Sequence, residues 1–256
     1  MPGLRRGSTK ITKLYRGGVP VHRMYRGTDL VFDDRVAPPG PGQPNHIFDN
    51  FNRPNAGTLA IAQGNDNWEY RREEHPDTNI GISANTARIV LPNTDGRNPF
   101  FAQARHKTPM SNSDGWLKVQ VATQGSGSVY YFGWGTGHFV TYVLARTDAN
   151  FQYGVGLALE NGNVAFVRRY PAPAGSPYTY AYEKIAAGTF QSNDWLQVDY
   201  AGPTMLLSRN GATVMGCNFG GAPTAPGAVE MVMYASQDNL GRSPHFSPQI
   251  NEIEAQ

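Results

Sequence analysis

Apolar and polar residues alternate with a period of two along many short stretches of this chain. Leu117, Val119 and Val121 alternate with Lys118 and Gln120, and Leu196, Val198 and Tyr200 with Gln197 and Asp199. Tyr153, Val155, Leu157 and Leu159 alternate with small residues, and Val229, Met231 and Met233 keep the same period. Such alternation places one apolar face on a half-buried β-strand. Phe139–Arg146 and Ile250–Ala255 are further predicted strands. Asn161-Gly162 and Asn210-Gly211 each separate two apolar runs, and both dipeptides accept the positive φ angles of a tight hairpin turn. No stretch keeps helical periodicity for three turns. About a dozen strands in the last 210 residues or so predict an all-β, antiparallel two-sheet sandwich over residues 47–256.

A shorter β-pattern precedes it. Tyr-Arg-Gly occurs at Tyr15-Arg16-Gly17 and again at Tyr25-Arg26-Gly27, followed by Leu30 and Phe32. Each unit is too small to bury a core alone and needs a neighbouring surface. Residues 1–36 are therefore expected to be an attachment arm in which Tyr15, Arg16, Tyr25, Arg26, Leu30 and Phe32 make the assembly contacts. Its open strand edges predict a homo-oligomer, with a trimer favoured. Residues 37–46 contain Ala-Pro-Pro-Gly-Pro-Gly-Gln-Pro, the composition of a semi-extended linker.

Composition agrees with strands and turns. Glycine (29) and proline (19) make up nearly a fifth of the 256 residues, which disfavours long helices. The net charge of +2 is unevenly spread, with eight Lys/Arg against three Asp in residues 1–35 and a net −3 in the remainder. Because these basic residues sit in a strand-and-turn repeat, docking on an acidic protein surface is expected rather than nucleic-acid binding. Cys217 is the only cysteine, so an intrachain disulfide is excluded and a structural buried thiol is expected. That fits synthesis in a reducing cytoplasm. The first residues carry charge but no apolar run, so neither a signal peptide nor membrane insertion is expected.

Candidate chemistry is sparse. Two carboxylates facing one sugar, commonly arranged as Glu-x-Asp-x-Glu on one strand, are absent as a run. Glu252 and Glu254 share a strand face but are expected to be solvated, and Glu73 and Glu74 point opposite ways on a strand. The chain is accordingly expected to be no enzyme. The six histidines form no His-x-x-x-His pair, so no metal or cofactor is expected. Asp148 and Asn150 read as a turn rather than a calcium site. Gly133–His138 lacks the lysine and spacing of a phosphate loop and reads as a loop that exposes Trp134. Sugars stack their apolar faces on aromatic rings. Trp134, His138, Tyr170 and Tyr178 are the candidate glycan contacts, while Tyr180 and Tyr182 share strand parity and read as hairpin packing.

Several stretches resemble one family. Phe48-Asp49-Asn50-Phe51-Asn52-Arg53, then Gly57-Thr58-Leu59 and Trp68, is similar to the opening strand of a concanavalin-like or laminin-G-like jelly roll. Such openings are common in minor tail proteins of phages that infect actinobacteria. Tyr142–Asp148 with Val164–Arg168 resembles that fold's central sheet, and Asp194-Trp195-Leu196-Gln197-Val198 with Asn210-Gly211 resembles its late hairpin. Ile250–Glu254 resembles the last strand, which returns beside the first. The resemblance implies a structural virion protein of a phage tail that contributes to adhesion. The implied partners are other tail proteins and host cell-wall glycan. A free lectin-like module and a glycan hydrolase are the alternatives.

Overall fold

The computed structural model describes residues 46–52, 54–59, 67–71, 79–90, 100–110, 114–126, 129–131, 135–137, 139–174, 180–236 and 245–256, together with six short strands nearer the N-terminus. The chain divides into two units, Met1–Pro44 and Asn45–Gln256.

The first unit holds three antiparallel strand pairs. β1 (Arg5–Arg6) pairs with β2 (Thr9–Lys10), β3 (Tyr15–Arg16) with β4 (Val19–Pro20), and β5 (Arg23–Arg26) with β6 (Asp29–Asp33). The register repeats: Arg6 faces Thr9, Arg16 faces Val19 and Arg26 faces Asp29, with two residues between the partners each time. The ten-residue spacing thus extends over three units. The first, Arg5-Arg6-Gly7, escapes a search for Tyr-Arg-Gly because arginine replaces its tyrosine.

The second unit is an antiparallel two-sheet sandwich of jelly-roll type. The first sheet runs β21 (Ala212–Asn218), β20 (Thr204–Arg209), β19 (Trp195–Ala201), β12 (Trp116–Val121), β24 (Ile250–Ala255), β10 (Thr86–Val90) and β9 (Asn79–Ser83), with β7 (Ile47–Asp49) also paired to β24. The second runs β18 (Tyr180–Thr189), β17 (Asn163–Pro171), β16 (Gly154–Glu160), β15 (Thr141–Thr147), β22 (Ala228–Ser236), β11 (Phe100–Pro109) and β8 (Trp68–Arg71), with β23 (His245–Phe246) paired to β22. A separate pair, β13 (Val129–Tyr131) and β14 (Gly135–Gly137), occupies part of the glycine-rich stretch read as a loop. No helix occurs among the described residues.

The sequence period sets the core. Leu117, Val119 and Val121 of β12 and Leu196, Val198 and Tyr200 of β19 point inward, opposite Val155, Leu157 and Leu159 of β16 and Val229, Met231 and Met233 of β22. Asn161-Gly162 joins β16 to β17 and Asn210-Gly211 joins β20 to β21, all four at positive φ, as a tight hairpin requires. The last strand does return beside the first, with Ile253 facing Asp49. β16 starts one residue later than its alternation suggests. Tyr153 stays exposed, its amide donating to Asp148 Oδ1 (2.7 Å), and Asp148 also accepts from the amides of Gln152 and Asn150. Asp148 is thus a turn residue.

One expectation fails on β24. Glu252 and Glu254 are each only 8% exposed. β24 is last in the chain but lies between β12 and β10 in its sheet. Glu254 accepts from His46 Nε2 at 2.9 Å and faces Lys118 Nζ at 3.8 Å. Central position in the sheet, not position in the sequence, decides their burial.

At one end of the core, Trp68 donates its indole N–H to Asp49 Oδ2 (2.8 Å), and Asp49 Oδ1 accepts from the Phe51 amide. His106 packs edge-on against Trp68 at 5.3 Å, with Nδ1 3.1 Å from the Thr108 carbonyl. Burial lowers the His106 pKa below its usual 6.5, against the opposing pull of Thr108 and Asp49. The unfolded chain therefore takes up this proton at higher pH than the folded one. The stability tied to neutral His106 is present above pH 6.5 and is lost as pH falls below it. Urea melts at pH 7.5 and 5.5 should show wild type losing more stability than His106→Gln, by up to about 1.4 kcal/mol per pH unit. Equal losses would mean that the folded state protonates His106 freely.

Candidate functional site

The two sheets differ on their outward faces. The first presents polar groups there, including Lys118, Gln120, Gln197 and Asp199. The second carries another apolar layer, formed by Val140, Tyr142, Leu144, Ala158, Val167 and Val232 with Phe101, Ala165, Tyr182 and Tyr234. All seven residues of β15 are buried, as are the first six of β16. An antiparallel sheet with one wet face would alternate. This one is apolar on both.

Small residues on β16 make the layer possible. Gly154, Gly156 and Ala158 point outward, in register with Arg169, Val167 and Ala165 of β17. A Cβ on Gly156 would lie 2.1 Å from the Val143 carbonyl oxygen, so only glycine fits there. Long side chains from β17 and β18 lie across this low strip. Arg169 spans β16 and β15 to reach Glu230 on β22, about 14 Å of backbone separation at the usual strand spacing. Its Nη1 and Nη2 donate to Glu230 Oε1 and Oε2 at 2.6 and 2.7 Å, and both side chains have no exposed surface. Gln103 Nε2 also donates to Glu230, and the Tyr180 ring lies 5.0 Å from the Arg169 guanidinium. Burial opposes the Arg169 charge, but the Glu230 carboxylate more than offsets it and raises the pKa above the ordinary range.

Beside this pair, Tyr182 reaches from β18 to stack on Tyr142 of β15, with centroids 4.2 Å apart and planes 9° apart. Tyr234 meets Tyr142 edge-on at 6.0 Å and stacks on Phe101 at 5.7 Å. Lys184 Nζ lies 5.2 Å from the Tyr142 ring centre and 3.8 Å from Glu160 Oε2. Val140, Tyr142, Glu160, Lys184 and Tyr234 line an open depression of about 390 Å³. Burial raises the pKa of Tyr142, helped by Tyr234 and Glu160. Burial, with Tyr234 next, raises that of Tyr182 well above normal. Both hydroxyls therefore keep their protons at neutral pH. Burial lowers the pKa of Lys184, against the pull of Glu160. The depression is thus lined by two tyrosines, Tyr142 nearly buried and Tyr234 half-buried, with one ammonium and one carboxylate.

Trp134, His138 and Tyr178 lie outside the described residues. Tyr170 is half-buried on β17 under the Arg168 guanidinium (5.5 Å), on the strand face opposite Arg169. Tyr15, Arg16, Tyr25, Arg26, Leu30 and Phe32 fall in β3, β5 and β6 of the other unit. Sequence reasoning missed Tyr142, Tyr234, Glu160 and Lys184 and took Tyr182 for packing. The available signal was the unbroken apolar run of β15 and the second apolar parity of β22, Val232 and Tyr234. Cys217 is half-buried, and burial pushes its thiol pKa up to about 11. Among the described residues, no three His, Cys, Asp or Glu side chains converge as metal ligands.

No protein-family model matches the chain, and no curated protein matches it. Solved structures do. A glycosidic hydrolase superposes with a TM-score of 0.53 at 11% identity, covering 84% of this chain and 96% of its own. The endo-β-galactosidase of Clostridium perfringens that releases GlcNAcα1-4Gal gives 0.52 at 8% identity, covering 86% of this chain and 64% of its own. A carbohydrate-binding module from Bacillus subtilis gives 0.43 at 9%, covering 72% and 93%. At these identities the likeness establishes the concanavalin-like jelly-roll fold. It also corrects the expectation that the chain is no enzyme. Glycoside hydrolases share this fold across most of the chain, so the missing Glu-x-Asp-x-Glu run no longer excludes hydrolysis. Separate strands of one sheet also bring carboxylates to one face, as Glu160 of β16 and Glu230 of β22, on either side of β15, illustrate.

The buried charge pair is the groove's main structural commitment. Glu230→Gln leaves Arg169 buried beside a neutral group and should cost about 3–5 kcal/mol of stability. Arg169→Met with Glu230→Met should cost less than that single change, because no orphan charge remains. Urea unfolding of the three proteins checks both. A Glu230→Gln loss under about 1 kcal/mol would show the pair to be solvated.

Proposed function

We propose that the sandwich engages glycan in the groove of its second sheet, and that the N-terminal hairpin array attaches it to a phage tail. The observation that carries the reading is the Tyr142, Tyr182 and Tyr234 cluster beside the Glu160–Lys184 pair. Aromatic faces take the apolar side of a pyranose, while the charged pair and the tyrosine hydroxyls meet its hydroxyl groups. The tail role rests on the resemblance of the opening strand to that of phage minor tail proteins, and on an arm of three hairpins too small to stand alone. Host cell-wall polysaccharide is the matching ligand. A shallow groove binds one sugar weakly, and several copies on one particle raise avidity by orders of magnitude. Hydrolysis is the second reading, favoured by the Glu160 carboxylate in the depression and by the hydrolases that share the fold.

The test is titration of the full chain with host-wall polysaccharide, with reducing ends measured in parallel. Tyr234→Ala should weaken binding about tenfold, an effect of about 1.4 kcal/mol, and Tyr170→Ala should leave it unchanged. Loss on Tyr170→Ala alone would move the site off this groove. Reducing ends released by wild type and not by Glu160→Gln would make the protein a hydrolase. No binding in multivalent display would end the glycan reading.

A further inference from the structure

The outermost strands of the two sheets are finished differently. β9 is capped: Ala56 exchanges both backbone hydrogen bonds with Ile82, N to O at 3.0 Å and 2.8 Å. β18 carries adjacent Glu183 and Lys184, and β8 is only four residues long and carries Glu69 and Arg71. Covering, charge and shortness are the usual devices that stop a sheet edge from pairing with another chain.

β21 is neither short nor charged, and although β18 comes near it, with Val214 Cγ1 3.4 Å from where a Gly188 Cβ would stand, no described strand pairs with its outer edge. It is seven residues long, Ala212-Thr213-Val214-Met215-Gly216-Cys217-Asn218, without charge or proline. Every residue is exposed except Cys217, which is half-buried. Among the described strands it pairs only with β20. Val214 and Met215 are 45% and 37% exposed, and Leu206 beside them on β20 is 40% exposed. These three, with Tyr153, are the exposed large apolar side chains among the described residues.

We propose that β21 pairs antiparallel with β21 of a second copy of this chain, joining the first sheets of two sandwiches into one continuous sheet across a two-fold axis. Self-pairing follows from the composition of the edge. In an antiparallel two-fold pair each residue meets one from the same seven, and like charges directly opposite are destabilising. An uncharged strand meets itself with no such cost in any register. The pairing would also cover Val214 and Met215 of both copies. It does not involve the groove, which lies on the other sheet.

The test is sedimentation velocity of the full chain at tens of micromolar. The Val214→Lys assembly should have half the wild-type mass, whatever further association the N-terminal hairpins add. Val214→Glu should behave the same way. An equimolar mixture of the two variants should restore the wild-type mass, since opposite charges then face each other. That recovery also separates a lost interface from a misfolded strand. Equal mass in wild type and both variants would overturn the proposal. So would two halved variants that stay halved when mixed.

Discussion

The Arg169–Glu230 pair is the interaction on which the architecture of the groove depends. A bidentate guanidinium–carboxylate contact with no solvent access is stable only if its geometry is held and further hydrogen bonds help to offset the lost solvation. Gln103 and Tyr180 supply part of that surround. The pair ties β17 to β22 across two strands, on the face where Tyr182 reaches Tyr142. Its cost is a low strip of Gly154, Gly156 and Ala158 on β16, where position 156 takes no side chain at all.

From that constraint follows the difference between the two sheets. The first sheet meets water with lysine, glutamine and aspartate. The second buries a charge pair and a cluster of tyrosines on what would otherwise be its wet face. A protein that needed only a sandwich would alternate on both outer faces. The extra layer is the costly feature, and it holds a depression that combines aromatic rings with opposite charges.

Much of the fold was legible because the core faces obey a period of two. β12 and β19 alternate without a break, and the two Asn-Gly turns lie between the strands they were read to join. The groove was harder to read. In β15 both parities are apolar, and a periodic search credits only one of them, so Tyr142 looked like core. Glu252 and Glu254 misled in the opposite sense, because closeness to the chain terminus says nothing of closeness to a sheet edge. The missing single-strand carboxylate motif was also too narrow a test, since two different strands, β16 and β22, place Glu160 and Glu230 on one face. Arg169 and Glu230 are 61 residues apart, and no local pattern pairs them.

The central claim is that the tyrosine groove of the second sheet is where glycan binds. It is tested most directly by backbone amide chemical shifts of the full chain titrated with soluble fragments of host-wall polysaccharide. The expected result is saturable shifts centred on Tyr142, Glu160, Lys184 and Tyr234, with β19 and β20 unmoved. Shifts confined to residues outside the second sheet, with those four positions silent at saturation, would contradict the account.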